Sequence, residues 1–190
     1  GSGFAANSLV VSTLPQANDL ILHDELIHAS VHEGMRMARA PCQNFAHNDV
    51  DAAADAIARW RASGGCGTPW ISFETLYSMD GDVAPVEDFA SLAERTGAML
   101  LIDEAHAVGV CGPEGRGLAA HLHGCDNVVT LVTCGKALGC EGALILAPTV
   151  FRDFLVNRGR SFIFSTAPSP LIAAIVRESL SIVANADERR

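Results

Sequence analysis

Ala98-Met99-Leu100-Leu101-Ile102-Asp103 is an unbroken apolar run that stops on an acid. It is too short for a typical helix, and it follows Pro85–Thr96, whose pattern predicts a helix with Pro85 in its first turn. A strand without polar alternation is buried on both faces, as in a parallel sheet covered by helices. The same grammar extends outward along the chain. Asp19–His23, Cys42–His47, Trp70–Glu74, Asn127–Thr133 and Gly142–Ala147 read as further strands. Ile27–Arg39, Val50–Ser63 (with Asp49 as N-cap), Val150–Arg158 and Leu171–Ala186 read as helices, and Ala5–Leu14 is an apolar helix-like run. The expectation is an α/β fold, a mainly parallel sheet flanked by helices, in one domain over residues 1–190. In such sheets ligands bind beyond the carboxyl ends of the strands. His23, Glu74, Asp103 and Thr133 fall there, with Lys136 just after.

The formal net charge of −9 argues against nucleic acid or an anionic membrane as the main partner. No apolar run approaches the roughly 20 residues that span a bilayer, and no basic start with an apolar core marks a signal peptide. Six cysteines without a C-x-x-C pair read as free thiols in a reducing cytoplasm, not as a zinc site, so no metal is expected.

Lys136 is the only lysine; the other twelve of the thirteen basic residues are arginine. It follows the β-branched run Val128-Val129-Thr130-Leu131-Val132 in Thr133-Cys134-Gly135-Lys136. An amine at the end of a buried strand can be partly desolvated, which lowers its pKa and favours attack on a carbonyl. A lysine capping a turn is the plainer alternative.

Asp103-Glu104-Ala105-His106 admits two readings. As a helicase box it requires an upstream G-x-x-x-x-G-K-[ST] loop, and the sequence has none. Paired with Lys136, Asp103 fits pyridoxal phosphate: the lysine forms a Schiff base, and a carboxylate keeps the pyridine nitrogen protonated. Gly3-Phe4 open a helix-like run whose free amides suit a phosphate, or are an ordinary helix start. His28 opens a helix and is placed to stack over a ring, or to cap. Ser78, in Ser78-Met79-Asp80-Gly81, is a donor to the cofactor's 3′-oxygen or a plain polar turn.

Taken in order, GSGFAAN at 1–7, DELIHAS at 24–30, FAHNDV at 45–50, YSMDGDVAP at 77–85, LLIDEAHAVGVCGPEGRG at 100–117, TCGKALG at 133–139 and FIFSTAPSP at 162–170 resemble the α-oxoamine synthases. These are fold-type I pyridoxal-phosphate enzymes. The resemblance implies that these residues are the large domain of a PLP-dependent transferase, without the family's N-terminal arm and C-terminal domain. It implies Lys136 as the Schiff-base lysine and general base, Asp103 as the pyridinium partner, and His28 as the ring-stacking histidine. His106 and Ser78 match residues near the 3′-oxygen, with His106 also a donor to the forming oxyanion. Thr133 matches a phosphate ligand, as do the amides of Gly3 and Phe4. Ser165 and Thr166 match a segment that reaches the phosphate of a neighbouring subunit, which implies a homodimer with shared active sites. His47 carries no assigned role.

SGFAAN, FAHNDV and the glycine before the lysine point to the branch that joins L-alanine to pimeloyl-coenzyme A or a pimeloyl carrier protein in biotin biosynthesis. Sister branches use glycine or serine with other acyl-coenzyme A thioesters. The family usually has Gly or Ser where Ala107 stands, and smaller residues where Cys140-Glu141 stand.

Overall fold

The computed structural model describes residues 1–189. Six strands form one sheet: β1 Leu20–Asp24, β2 Cys42–Phe45, β3 Pro69–Glu74, β4 Met99–Asp103, β5 Val128–Thr133 and β6 Ala143–Leu146. Their order is β2-β1-β3-β4-β5-β6, with every neighbouring pair parallel except β5 and β6. The mainly parallel sheet is therefore as expected, and β6 is the exception within it. Its cause is connection length. The segment between β5 and β6 holds no helix, and a parallel return needs a crossover of a dozen or more residues. The strands instead pair as a hairpin, with Thr133 opposite Ala143.

The helices are α1 Gly3–Thr13, α2 Ala29–Met37, α3 Val50–Ala62, α4 Val86–Thr96, α5 Thr149–Arg158, α6 Arg160–Ile163 and α7 Pro170–Ala184. Asp49 caps α3 as expected, its Oδ1 accepting from Ala52 N at 2.8 Å. Pro85 stands one residue before α4 rather than inside it, and Gly97 ends that helix in the left-handed region at φ 69°.

Side chains of successive strand residues point to opposite faces, and each face has its own core. Leu20, Leu22, Ile71, Phe73, Leu100 and Ile102 pack with α3 and α4, where Phe73 stacks on Phe89 at 4.6 Å between ring centroids. Ile21, Trp70, Leu101 and Val129 pack on the other face with Leu9, Val10 and Val11 of α1 and Leu155 of α5. Both faces of the central strands are thus dry, which accounts for their unbroken apolar sequences. Trimming the fully buried Phe89 to alanine is expected to cost about 3–5 kcal/mol. Among the described residues no helix is long and apolar enough to cross a membrane.

The parallel strands all end on one side of the sheet. The order reverses at β1, because β2 lies on one side of it and β3 on the other. A crevice forms where neighbouring connections part in this way.

Candidate active site

A cavity of about 220 Å³ opens at the carboxyl ends of β3, β4 and β5. Glu74, Asp103 and Thr133 line it from the strand ends. His106 and Lys136 reach it from the loops that follow β4 and β5, and Gly3, Phe4 and Asn7 face it from α1. His28, at the N-cap of α2, completes the wall. A larger hollow of about 670 Å³ runs between His123 and Val150, but it holds no amine and no paired acid–base chemistry.

The run Asp103-Glu104-Ala105-His106 divides its labour by direction. Asp103 is buried, and both of its carboxylate oxygens are occupied. Oδ2 accepts from Asn7 Nδ2 at 2.6 Å and Oδ1 from Ala105 N at 2.9 Å. Glu104 points away into the protein, where Oε2 and Oε1 accept from Leu118 N and Ala119 N at 3.0 and 2.8 Å. Burial pushes its pKa up against those bonds. Its part is architectural: it ties down the loop 107–119, and Gly117 at φ +97° makes room for its carboxylate.

His106 Nε2 accepts from Lys136 Nζ at 2.5 Å. Lys136 is exposed as a residue, so the desolvation expected of it is only partial. Burial still lowers its amine's pKa, with the carboxylates of Asp103 and Glu74 opposing. Burial also lowers His106, and the neighbouring Lys136 charge adds to the effect. Both shifts favour the neutral form of the group concerned, and the contact lets one proton pass between Nζ and Nε2.

Glu74 is the strongest electrostatic signal in the site. It is paired in register with Asp103 and is 3% exposed. Burial and then the Asp103 charge raise its pKa to about 7, against a backbone hydrogen bond from His28 and the charge of Lys136. Its place at a strand end marked it in the sequence, but nothing local there marked its protonation.

The amides of Gly3 and Phe4 precede the first intrahelical bond of α1, made by Ala6 N to Ser2 O at 3.0 Å, and so are free for an anion. Ser2 caps the helix by accepting from Ala5 N. Glycine favours this close approach, because a Cβ on Gly3 would lie 3.0 Å from Thr133 Oγ1 and would push that side chain back by a few tenths of an ångström. The close approach sets two amides beside one hydroxyl at the edge of the cavity. This donor set fits pyridoxal phosphate: an amine for its aldehyde, a carboxylate for its ring nitrogen, and amides with a hydroxyl for its phosphate.

Seven of the ten expected site residues thus gather around the cavity: Gly3, Phe4, His28, Asp103, His106, Thr133 and Lys136. Ser78 does not; it lies on an exposed turn after β3. Ser165 and Thr166 are also exposed and stand outside the cavity. His23 is buried, its Nδ1 donating to Asp24 O at 2.9 Å, and it does not line the cavity. Sequence reasoning missed Asn7 and Ser2. Asn7 left one signal, a lone amide inside the apolar run of α1.

The 8-amino-7-oxononanoate synthase of Acidithiobacillus ferrooxidans is 41% identical over 194 residues, which covers 100% of this chain and 48% of that protein. Serine palmitoyltransferase from S. paucimobilis, in a structure with bound PLP and myriocin, superposes with a TM-score of 0.90 at 29% identity, covering 100% of this chain and 48% of that one. 8-Amino-7-oxononanoate synthase from Francisella tularensis superposes with a TM-score of 0.79 at 26% identity, covering 100% and 54%. The chain spans about half the length of the curated relatives it matches. The family model for aminotransferase class I and II matches residues 1–190, and the chain belongs to that family, in its α-oxoamine synthase branch.

Proposed function

We propose that residues 1–190 are the cofactor-binding domain of a pyridoxal-phosphate-dependent C-acyltransferase. The reaction is the decarboxylative condensation of L-alanine with a pimeloyl thioester to 8-amino-7-oxononanoate, in biotin biosynthesis. The observation that carries this reading is the meeting of the lone amine of Lys136 and the carboxylate of Asp103 in one cavity. The names of the curated relatives supply the substrates.

In this reading Lys136 would hold the cofactor's aldehyde, and Asp103 would pair with its ring nitrogen. His28 would lie against the ring, and Thr133 with the Gly3 and Phe4 amides would hold the phosphate. Bound pyridoxal phosphate supplies an electron-withdrawing ring that makes the amino acid's α-proton acidic. Lys136 Nζ, once released, accepts that proton as general base. His106 Nε2 lies within hydrogen-bond reach of Nζ and relays a proton to or from it. His106 then offers the proton to the oxygen that becomes negative when the thioester is attacked. Ser78 completes the site near the 3′-oxygen only if its turn moves inward.

We extend the reading to a homodimer that works in the cytoplasm. Phe162, Ile163 and Phe164 are exposed immediately before Ser165 and Thr166, as befits a segment reaching a second subunit. The six cysteines are free, which suits a reducing compartment.

One observation favours a sister reaction, serine with a long acyl-coenzyme A: the superposition on serine palmitoyltransferase is tighter than that on the Francisella protein. Borohydride reduction with pyridoxal phosphate tests the shared step. Mass spectrometry should find the cofactor on the Lys136 peptide and should find none there in Lys136→Ala; an unlabelled Lys136 would overturn the reading. Product mass spectrometry with L-alanine or serine against pimeloyl and palmitoyl thioesters then separates the two reactions.

A further inference from the structure

Two buried polar residues outside the expected set join opposite walls of the cavity. Asn7 Nδ2 donates both of its hydrogens, one to Asp103 Oδ2 at 2.6 Å and one to Ser30 Oγ at 3.0 Å. The orientation of this amide is settled by chemistry, because its oxygen could not sit at 2.6 Å from a carboxylate oxygen. Ser30 Oγ therefore spends a lone pair on Asn7 and keeps its own hydrogen. That hydrogen has an acceptor, His28 Nδ1, at 2.8 Å. The backbone N–H of Ser30 meets the same Nδ1 at 3.2 Å. A backbone N–H can only donate, so Nδ1 bears a lone pair and the neutral ring carries its proton on Nε2.

The scaffold holds this arrangement firmly. Asn7 is 8% exposed and Ser30 is fully buried. Ser8 Oγ donates to Ser30 O at 2.9 Å, which fixes α1 to α2 one residue along. Gly34 lets the helices approach, since a Cβ there would come within 2.7 Å of Val11 Cβ.

We propose that Asn7 and Ser30 are positioning residues. Asn7 orients the Asp103 carboxylate, and through Ser30 it fixes His28 as the tautomer with a donor, not a lone pair, at Nε2. Since His28 lines the cavity, the site then presents an N–H to an acceptor oxygen of whatever it binds. A carboxylate or carbonyl oxygen suits that edge, and a cation does not. The relevance to catalysis rests on the proposed function; the relay itself does not.

The relay is tested in cofactor-free protein by long-range proton–nitrogen NMR of the imidazoles. In the unaltered protein, His28 Nδ1 should resonate as an unprotonated nitrogen accepting hydrogen bonds, with Nε2 protonated. Ser30→Ala removes one donor, and Nδ1 should shift towards the value of a more weakly bonded acceptor. Asn7→Asp should shift it the same way without touching His28: the new carboxyl shares one proton with Asp103 across the 2.6 Å contact, and the oxygen that replaces Nδ2 then accepts from the Ser30 hydroxyl, drawing it off His28. A protonated Nδ1 in the unaltered protein would overturn the relay, with no dependence on how the variants fold. So would an Nδ1 resonance unmoved by Asn7→Asp in a variant whose backbone spectrum is otherwise native. Failure of pyridoxal phosphate to reach Lys136 would instead remove the proposed function and leave this result standing.

Discussion

Lys136 Nζ donates to His106 Nε2 across 30 residues of sequence, joining the loop after β4 to the loop after β5. The contact makes each group's protonation depend on the other. The Lys136 charge helps to hold His106 neutral, and a neutral His106 leaves the amine with an acceptor.

Because Lys136 is the only lysine of these 190 residues, its titration can be read from one labelled peptide by mass spectrometry. Burial lowers its pKa from the ordinary 10.5. The reactive amine is then populated at lower pH than in a free lysine. The rate of acylation at Lys136, followed by mass spectrometry against pH, should rise with a midpoint below 10.5. A midpoint at or above that value would remove the argument from desolvation.

Glu74 makes stability fall with pH. Its folded value of about 7 lies above its ordinary 4.5, so between these the folded state holds a proton that the unfolded state has released. Stability must then decline as pH rises through that window and level off above it, by at most ~3 kcal/mol. Glu74→Gln should flatten the decline in cofactor-free protein, as measured by urea unfolding at about pH 5 and about pH 8. An unaltered slope would mean that Glu74 is ionised throughout.

His47 forms a separate latch. Its Nδ1 meets buried Asp24 Oδ1 at 2.8 Å and its Nε2 meets Asp82 Oδ2 at 2.7 Å, drawing together the end of β1 and the loops after β2 and β3. Burial lowers its pKa, but the two carboxylates outweigh it and the net direction is up. The stabilisation is complete below the ordinary 6.5 and is lost as pH rises through the folded value. Proton NMR of the His47 ring should give a midpoint above 6.5, and one below it would refute the latch.

Gly117→Ala should destabilise the fold without touching the cavity. Its φ is +97°, and an ideal Cβ would fall 1.5 Å from Glu104 Oε2. Backbone strain and overpacking together predict a loss of roughly 2–4 kcal/mol in thermal or urea unfolding.

Sheet, layers and strand ends were legible because they follow from periodicity. Trp70 and Ile71 sit in an apolar run because β3 is buried on both faces, with one of these side chains on each. The antiparallel turn of β6 was implicit in the short connection after Thr133, but apolar pattern carries no direction. Lys136 and Asp103 were legible as chemistry. Their pairing was read from what a pyridine cofactor needs on its two sides, and the family resemblance then supported it. Asn7 and Ser30 were hidden for a different reason. A single amide and a single hydroxyl have no period, and their meaning appears only when α1 lies on α2. Ser78 was marked by its motif, and the turn that holds it faces solvent.

The hairpin of β5 and β6 also limits how this segment can drift. Cys134 N bonds to Gly142 O and Cys140 N to Cys134 O, so the tract bearing the amine is closed on itself at both ends. Inserting or deleting one residue there would slip the strand register, turn the inner face of β6 outward and swing the nucleophile off target. In this bracket a change of length therefore displaces the amine, whereas a side-chain change away from Lys136 leaves it in place.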